Sequence, residues 1–142
     1  MTNPKQIEKA GIDEEILARG MALRSSLVGE ARTNKADQGF DPALVPAREV
    51  LLEFVWGKVW SRETLDRRSR SLMTLAVLTA LNRPQELMTH LHVATANGLS
   101  RTEIGEAILH AAAYCGVPAG MGALATARQF FQEQDQGSSD ER

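Results

Sequence analysis

LMTLAVLTALNRPQELMTHLHVATANGLSRTEIGEAILHAAA, residues 72–113, decides the fold. Three successive runs place apolar residues at helical spacing, and each break between them carries helix punctuation. The spacing predicts a first helix over roughly Leu65 to Leu81, with Leu65, Leu72, Leu75, Ala76 and Leu78 available to a core. Asn82-Arg83-Pro84 ends it, and Pro84 pre-sets the next, about Gln85 to Ala96, which Asn97-Gly98 closes. Ser100 with Glu103 three residues later is a capping-box signature for a helix carrying Ile104, Ala107, Ile108, Ala111 and Ala112 as far as Gly116. Val117-Pro118 opens a last helix rich in Ala and Gly, which permits close helix approach, within the chain or between subunits.

Working outward, Asp13 can cap a helix with Ile16, Leu23 and Leu27 at helical spacing, and Gly29 is its stop. Residues 30–42, EARTNKADQGFDP, are polar and read as a loop. Another helix is expected from about Ala43 to Val59, with Pro46 suiting its first turn. Ser61, three residues before Thr64, is a weak start signal for the helix that follows. The expectation is one all-α domain of about six helices, ordered over 12–133, with a polar tail over 134–142 whose composition suggests disorder.

Composition narrows the function. The chain has 142 residues, enough for folding to hide roughly 68–70% of the surface an unfolded chain exposes. Sixteen Lys and Arg against 18 Asp and Glu leave no basic surplus for a phosphate backbone, so a nucleic-acid partner is not expected. One cysteine excludes an internal disulfide and a four-cysteine zinc site. MTNPKQIEKAG has no apolar signal region, and no stretch approaches the ~20 apolar residues of a membrane span. A soluble, cytoplasmic protein is expected.

Among groups that could carry chemistry, His90, His92 and His110 titrate nearest neutrality. His90 and His92 lie two apart on one helix and point to nearly opposite faces, so they cannot both line one pocket. His90 shares a face with Glu86, and His110 with Glu106; such pairs are most often surface contacts worth a few tenths of a kcal/mol. Glu86 also falls in the first turn after Pro84, where a carboxylate gains from unpaired backbone N–H groups. Arg67 and Arg70 share a face and make a fork for a carboxylate, or a solvated helix start balanced by Glu63 and Asp66. Trp56 and Trp60, one turn apart, read as core or interface. Cys115, in Ala-Ala-Ala-Tyr-Cys-Gly-Val, reads as a buried inert thiol. No metal-ligand spacing, nucleophile elbow, phosphate loop or dinucleotide fingerprint is present.

Taken in order, these segments resemble the carboxymuconolactone decarboxylase family, from about Arg19 to Phe131. The carrying strings are GMALR at Gly20–Arg24, WGKVWSRETLDRRSRSLMTLAVLTALNRPQEL at Trp56–Leu87, His90, ANGLSRTEI at Ala96–Ile104 and AAAYCGVPAG at Ala111–Gly120. The resemblance is closer to the γ-carboxymuconolactone decarboxylases than to the alkylhydroperoxidase D-like branch of the superfamily. That branch uses a Cys-x-x-Cys before its histidine, and those positions here are Arg83 and Glu86; its glutamate corresponds to Ser71. Dithiol peroxidase chemistry needs a thiolate and a resolving partner, so a peroxidase is the disfavoured alternative. A non-catalytic helical binding module is the third reading.

The resemblance implies the alkylhydroperoxidase D-like helical fold and a homo-oligomer, often a hexamer. It implies decarboxylation of 4-carboxymuconolactone to 3-oxoadipate enol-lactone in protocatechuate and β-ketoadipate catabolism, or reaction of a related lactone. Such a substrate delocalises the electron pair left by CO₂ onto its own lactone carbonyl, so no cofactor is expected. The protein must then bind a dianion, stabilise an oxyanion and return a proton to carbon. By resemblance, His90 is the proton donor oriented by Glu86, and Glu49 is a second acid–base candidate. Arg70 and Arg83, with Arg67, contact carboxylates or the oxyanion, while Trp56 and Trp60 wall the pocket. The chain departs from the family at Gly29-Glu30-Ala31-Arg32-Thr33 and in the proline-bearing 33–46 region, which leaves the substrate's identity open.

Overall fold

The computed structural model describes residues 11–139, and among them every regular element is helical. The described residues form seven α-helices and one π-helix, in two compact units that divide between Leu65 and Asp66.

In the first unit, α1 spans Glu14–Val28, α2 Glu30–Asp37 and α3 Val45–Leu52, and α3 passes directly into a π-helix, Glu53–Trp60. Asp13 caps α1 as expected, its carboxylate accepting from the backbone N–H of Glu15 at 3.0 Å and of Ile16 at 3.1 Å. Gly29, at φ 100°, ends it. The packing of α1 on the π-helix turns on two glycines. A Cβ on Gly20 would lie 2.5 Å from the Gly57 nitrogen, and one on Gly57 would lie 2.6 Å from the Ile16 carbonyl oxygen. Backbone meets backbone there, so no side chain fits at either position.

Three expectations for this unit are corrected. Residues 30–37 are a helix rather than part of a loop. Glu, Ala, Arg and Lys favour a helix intrinsically, but only Thr33 of α2 is buried, so no apolar stripe announces it. Asp37 holds its end, receiving Arg24 at 3.1 Å and also Arg48. The helix expected over 43–59 begins at Val45, with Pro46 in its first turn, and widens to π-geometry from Glu53. Ser61 starts nothing: its hydroxyl donates to the Gly57 carbonyl at the π-helix end.

In the second unit, α4 spans Arg67–Ala80, α5 Pro84–Ala96, α6 Arg101–Cys115 and α7 Val117–Ser139. Asp66 caps α4, accepting from the Ser69 N–H at 2.9 Å. The Ser100–Glu103 capping box forms in full at the start of α6. Helix α4 packs on the other three, and α7 on α5 and α6. The core is Leu75, Leu87, Leu91, Ile104, Ile108 and Phe130, with Ala94, Ala123 and Ala127 between the helices. Each such large side chain contributes about 1.5–3 kcal/mol by leaving water. Leu72, expected in this core, is instead 37% exposed. Helix α7 continues through residues 134–139, where disorder was expected; Arg101 pairs with Asp135 at 2.5 Å and stacks over Phe131 at 4.7 Å. The N-terminal stretch read for a signal region, up to residue 10, and the tail from 140 lie outside the described residues. No described helix is long and apolar enough to cross a membrane.

Candidate active site

Helix α5 carries the central group. His90 lies mid-helix, one turn after Leu87 and beside Leu91, both of which are buried in the core. The backbone therefore holds its ring on a fixed side of α5, where it is mostly buried. Burial disfavours the charged imidazolium and pushes the His90 pKa down to about 4. At neutral pH the resting side chain is a neutral imidazole. His92, on the other side of α5, meets Phe130 edge-on with ring centroids 4.6 Å apart, which is a core contact.

The N-terminal turn of α5 brings Arg83 and Glu86 together. The Arg83 Nε donates to Glu86 Oε1 at 3.1 Å, and Nη2 donates to the same oxygen. That hydrogen bond holds the Glu86 carboxyl below its ordinary range, and Arg83 is raised in turn. Both are solvent-facing, 59% and 43% exposed, so their pairing is a weak tether that an incoming anion can replace. Glu86 therefore pairs with Arg83 within the first turn of α5.

Arg67 and Arg70 lie in the first turn of α4, and they are not equivalent: Arg67 is exposed, whereas Arg70 is half-buried. Asn97, a helix end by its Asn-Gly pair, also ties this turn to the end of α5. Its side-chain amide donates to the Ser71 hydroxyl at 3.0 Å and to the Arg67 carbonyl at 3.4 Å. Arg68 completes the tie by donating to the Gly98 carbonyl and pairing with Glu103. The strings LDRRSRS and ANGLSRTE are therefore two halves of one junction. A signal for it existed in the Asn-Gly pair, but the partner lies about thirty positions away and no local pattern names it.

On the first unit, Glu49 lines a cavity of about 340 Å³ with Glu14, Arg48, Leu17, Met21 and Leu52. Trp56 and Trp60 are buried, 6% and 5% exposed, and stack with centroids 5.3 Å apart and planes 29° from parallel. The core expectation for them holds. Glu53 is the residue that sequence reading missed. It is 2% exposed, and its Oε1 lies 2.6 Å from the Lys58 ammonium. The available signal was a lone charge inside the apolar run Val50-Leu51-Leu52-Glu53-Phe54-Val55-Trp56.

Two further expectations are settled on the second unit. Cys115 is exposed, not buried: it ends α6 next to Tyr114, 84% exposed, where the helix has left the core. His110 is also exposed and lies with Glu106 beside a groove of about 560 Å³ between α4 and α6, whose walls are mainly Leu72, Met73, Ala76 and Ala107. Among the described residues, no cluster of three His, Cys, Asp or Glu is placed to hold a metal ion.

Comparison with known proteins adds chemistry to this arrangement. Residues 46–129 match the model of the carboxymuconolactone decarboxylase family. A 4-carboxymuconolactone decarboxylase of Acinetobacter baylyi is 36% identical over 121 residues, covering 85% of this chain and 90% of that protein. A nitrosuccinic acid decarboxylase of Metarhizium robertsii is 33% identical over 122 residues, covering 86% of this chain and 85% of that protein. An uncharacterised 15.0 kDa protein of Paracoccus denitrificans is 37% identical over 89 residues.

Proposed function

Because this chain belongs to the carboxymuconolactone decarboxylase family, we propose that it decarboxylates 4-carboxymuconolactone to 3-oxoadipate enol-lactone without a cofactor, in the protocatechuate branch of β-ketoadipate catabolism. The observation that carries this reading is the match over most of both chains to a decarboxylase of that substrate. The nitrosuccinic acid decarboxylase supplies a second reading of the same chemistry. Both compounds carry two carboxylates, and both can hold the electron pair left by CO₂, one on a lactone carbonyl and the other on a nitro group. The dithiol peroxidase alternative gains nothing from an exposed, lone Cys115.

The reaction breaks one C–C bond, releases CO₂ and moves the bonding pair through the ring double bond to the lactone carbonyl oxygen. Collapse of that oxyanion takes up one proton at carbon. Arg70 and Arg83, with Arg67, receive the carboxylates or the oxyanion, since guanidinium forks bind carboxylates in two-point fashion. A carboxylate reaching Arg83 competes with Glu86 for the same donors. His90 delivers the proton, and its burial sets a condition on that role. A dianion nearby favours the imidazolium and raises the pKa that burial has lowered, so binding is coupled to proton uptake. Glu49, which lines the first unit's cavity, remains a second acid–base candidate, and Trp56 and Trp60 are pocket walls by resemblance alone. The chain acts as a cytoplasmic homo-oligomer, a hexamer by resemblance; the exposed stripes Met73, Val77, Leu81 and Val117, Met121, Leu124 support self-association.

An ultraviolet assay with 4-carboxymuconolactone and with nitrosuccinate, chelator present and no cofactor added, tests the reading. Turnover of the lactone by wild type, reduced about 10²–10⁴-fold in His90→Ala, is the expected result. A folded wild type that turns over neither compound overturns it. A preference for nitrosuccinate keeps the reaction class and replaces the substrate.

A further inference from the structure

We propose that Glu53 and Lys58 are a positioning pair that selects the π-helical register of residues 53–60 and thereby sets Trp56 against Trp60. The role in turnover rests on the decarboxylase reading above; the structural part stands apart from it.

The argument starts from spacing. In an α-helix of 3.6 residues per turn, positions i and i+5 point about 140° apart. A π-helix closes its hydrogen bonds from i to i+5, which brings those two positions onto one face. Glu53 and Lys58 are separated by five, and they meet at 2.6 Å. The contact is therefore specific to the wider turn, unlike the four-residue spacing of Trp56 and Trp60, which either helix type accommodates.

Burial supplies the second argument. Glu53 is 2% exposed while Lys58 is 51% exposed, so the lysine stem reaches down from solvent to a carboxylate inside the protein. A buried ion pair is weak evidence for stability, since apolar residues of the same volume often do as well. Its best-attested use is to fix register. Glu53 is also the first residue of the π-segment, where the α-helical ladder of α3 gives way. The far side of the segment is fixed independently by Gly57, whose backbone lies against α1 with no room for a Cβ. Between these points lie the two tryptophans, 5.3 Å apart. Relaxing the segment to α-geometry would change the rotation accumulated from Glu53 onward and re-aim both rings.

Two tryptophans at this distance couple their excited states, so the pair is read directly as an exciton couplet in circular dichroism, assigned by its loss in Trp56→Phe. Lys58→Met leaves the buried Glu53 carboxylate without its partner, so the helical circular dichroism of each variant is measured first, and Glu53→Gln, which leaves only a half-exposed ammonium unpaired, is the milder variant. The expected result is a couplet reduced by about half or more in Lys58→Met and Glu53→Gln, with kcat/KM lowered about tenfold through misplacement of the rings. Lys58→Arg, which restores the charge, is expected to keep both. A Lys58→Met protein with an unchanged couplet overturns the register claim. A lost couplet with unchanged kcat/KM overturns the positioning role. If wild type turns over neither substrate, the reaction assignment has failed, and the couplet alone still decides the register.

Discussion

At the scale of single residues, burial rather than sequence context sets the chemistry of His90. Its folded pKa of about 4 lies below the ordinary 6.5. Between those values the unfolded chain binds a proton that the folded chain does not, so stability falls as pH drops through that window and is complete above it. The loss by pH 4 is on the order of 2–3 kcal/mol. Denaturant midpoints measured at pH 7.5 and pH 5 are expected to differ more in wild type than in His90→Asn. Equal differences would mean that the ring is not desolvated. The same property predicts net proton uptake when a dicarboxylate inhibitor binds at pH 7, measured calorimetrically in buffers of different ionisation enthalpy. For Glu86 the expectation is the reverse: it is held by Arg83 at the helix start, so Glu86→Gln should leave the shape of the pH–rate profile unchanged and alter KM. A profile shifted by the variant would return Glu86 to the proton-transfer step.

At the scale of elements, caps and crossings separate what neighbouring residues decide from what distant ones decide. The Ser100–Glu103 box is local, and Ser100→Ala is expected to cost about 1 kcal/mol, seen as a small drop in melting temperature. The α1–π-helix crossing is not local. A methyl on Gly20 or Gly57 meets main-chain atoms within 3 Å, and main chain cannot rotate away as a side chain can. Gly57→Ala is expected to destabilise by at least about 1–3 kcal/mol, the ordinary range for overpacking. A melting temperature equal to wild type would contradict the crossing. Motif reading placed both glycines inside family strings but gave no reason for them. The reason is that they touch each other, 37 positions apart in the chain.

At the scale of the whole molecule, apolar surface is distributed unevenly. Met73 and Val77 on α4 and Leu81 at its C-cap recur along one side, as do Val117, Met121 and Leu124 on α7, all of them between 42% and 70% exposed. Apolar residues spaced this way on an exposed helix face mark association sites more often than scattered ones do. Under the proposed homo-oligomer, Val77→Glu is expected to lower the mass found by light scattering while leaving the helical circular dichroism intact. An unchanged mass would remove α4 from the interface. The core of the second unit gives a contrasting outcome, since Phe130 is fully buried and meets His92. Phe130→Ala is expected to cost about 3–5 kcal/mol in global stability, read from denaturant unfolding.

The sequence by itself determined the all-α class, the caps at Asp13 and Ser100, the breaks at Pro84 and Gly116, and most of the core, because each depends on hydrogen bonds or spacing within a few residues. It also carried the family strings. Only the tertiary structure decided that residues 30–37 are helical, that a π-turn follows Leu52, that Glu53 is buried while Leu72 and Cys115 are not, and that His90 rests neutral. These depend on which distant atoms exclude water from a side chain or lean against a backbone, and desolvation and close approach leave no trace in local order.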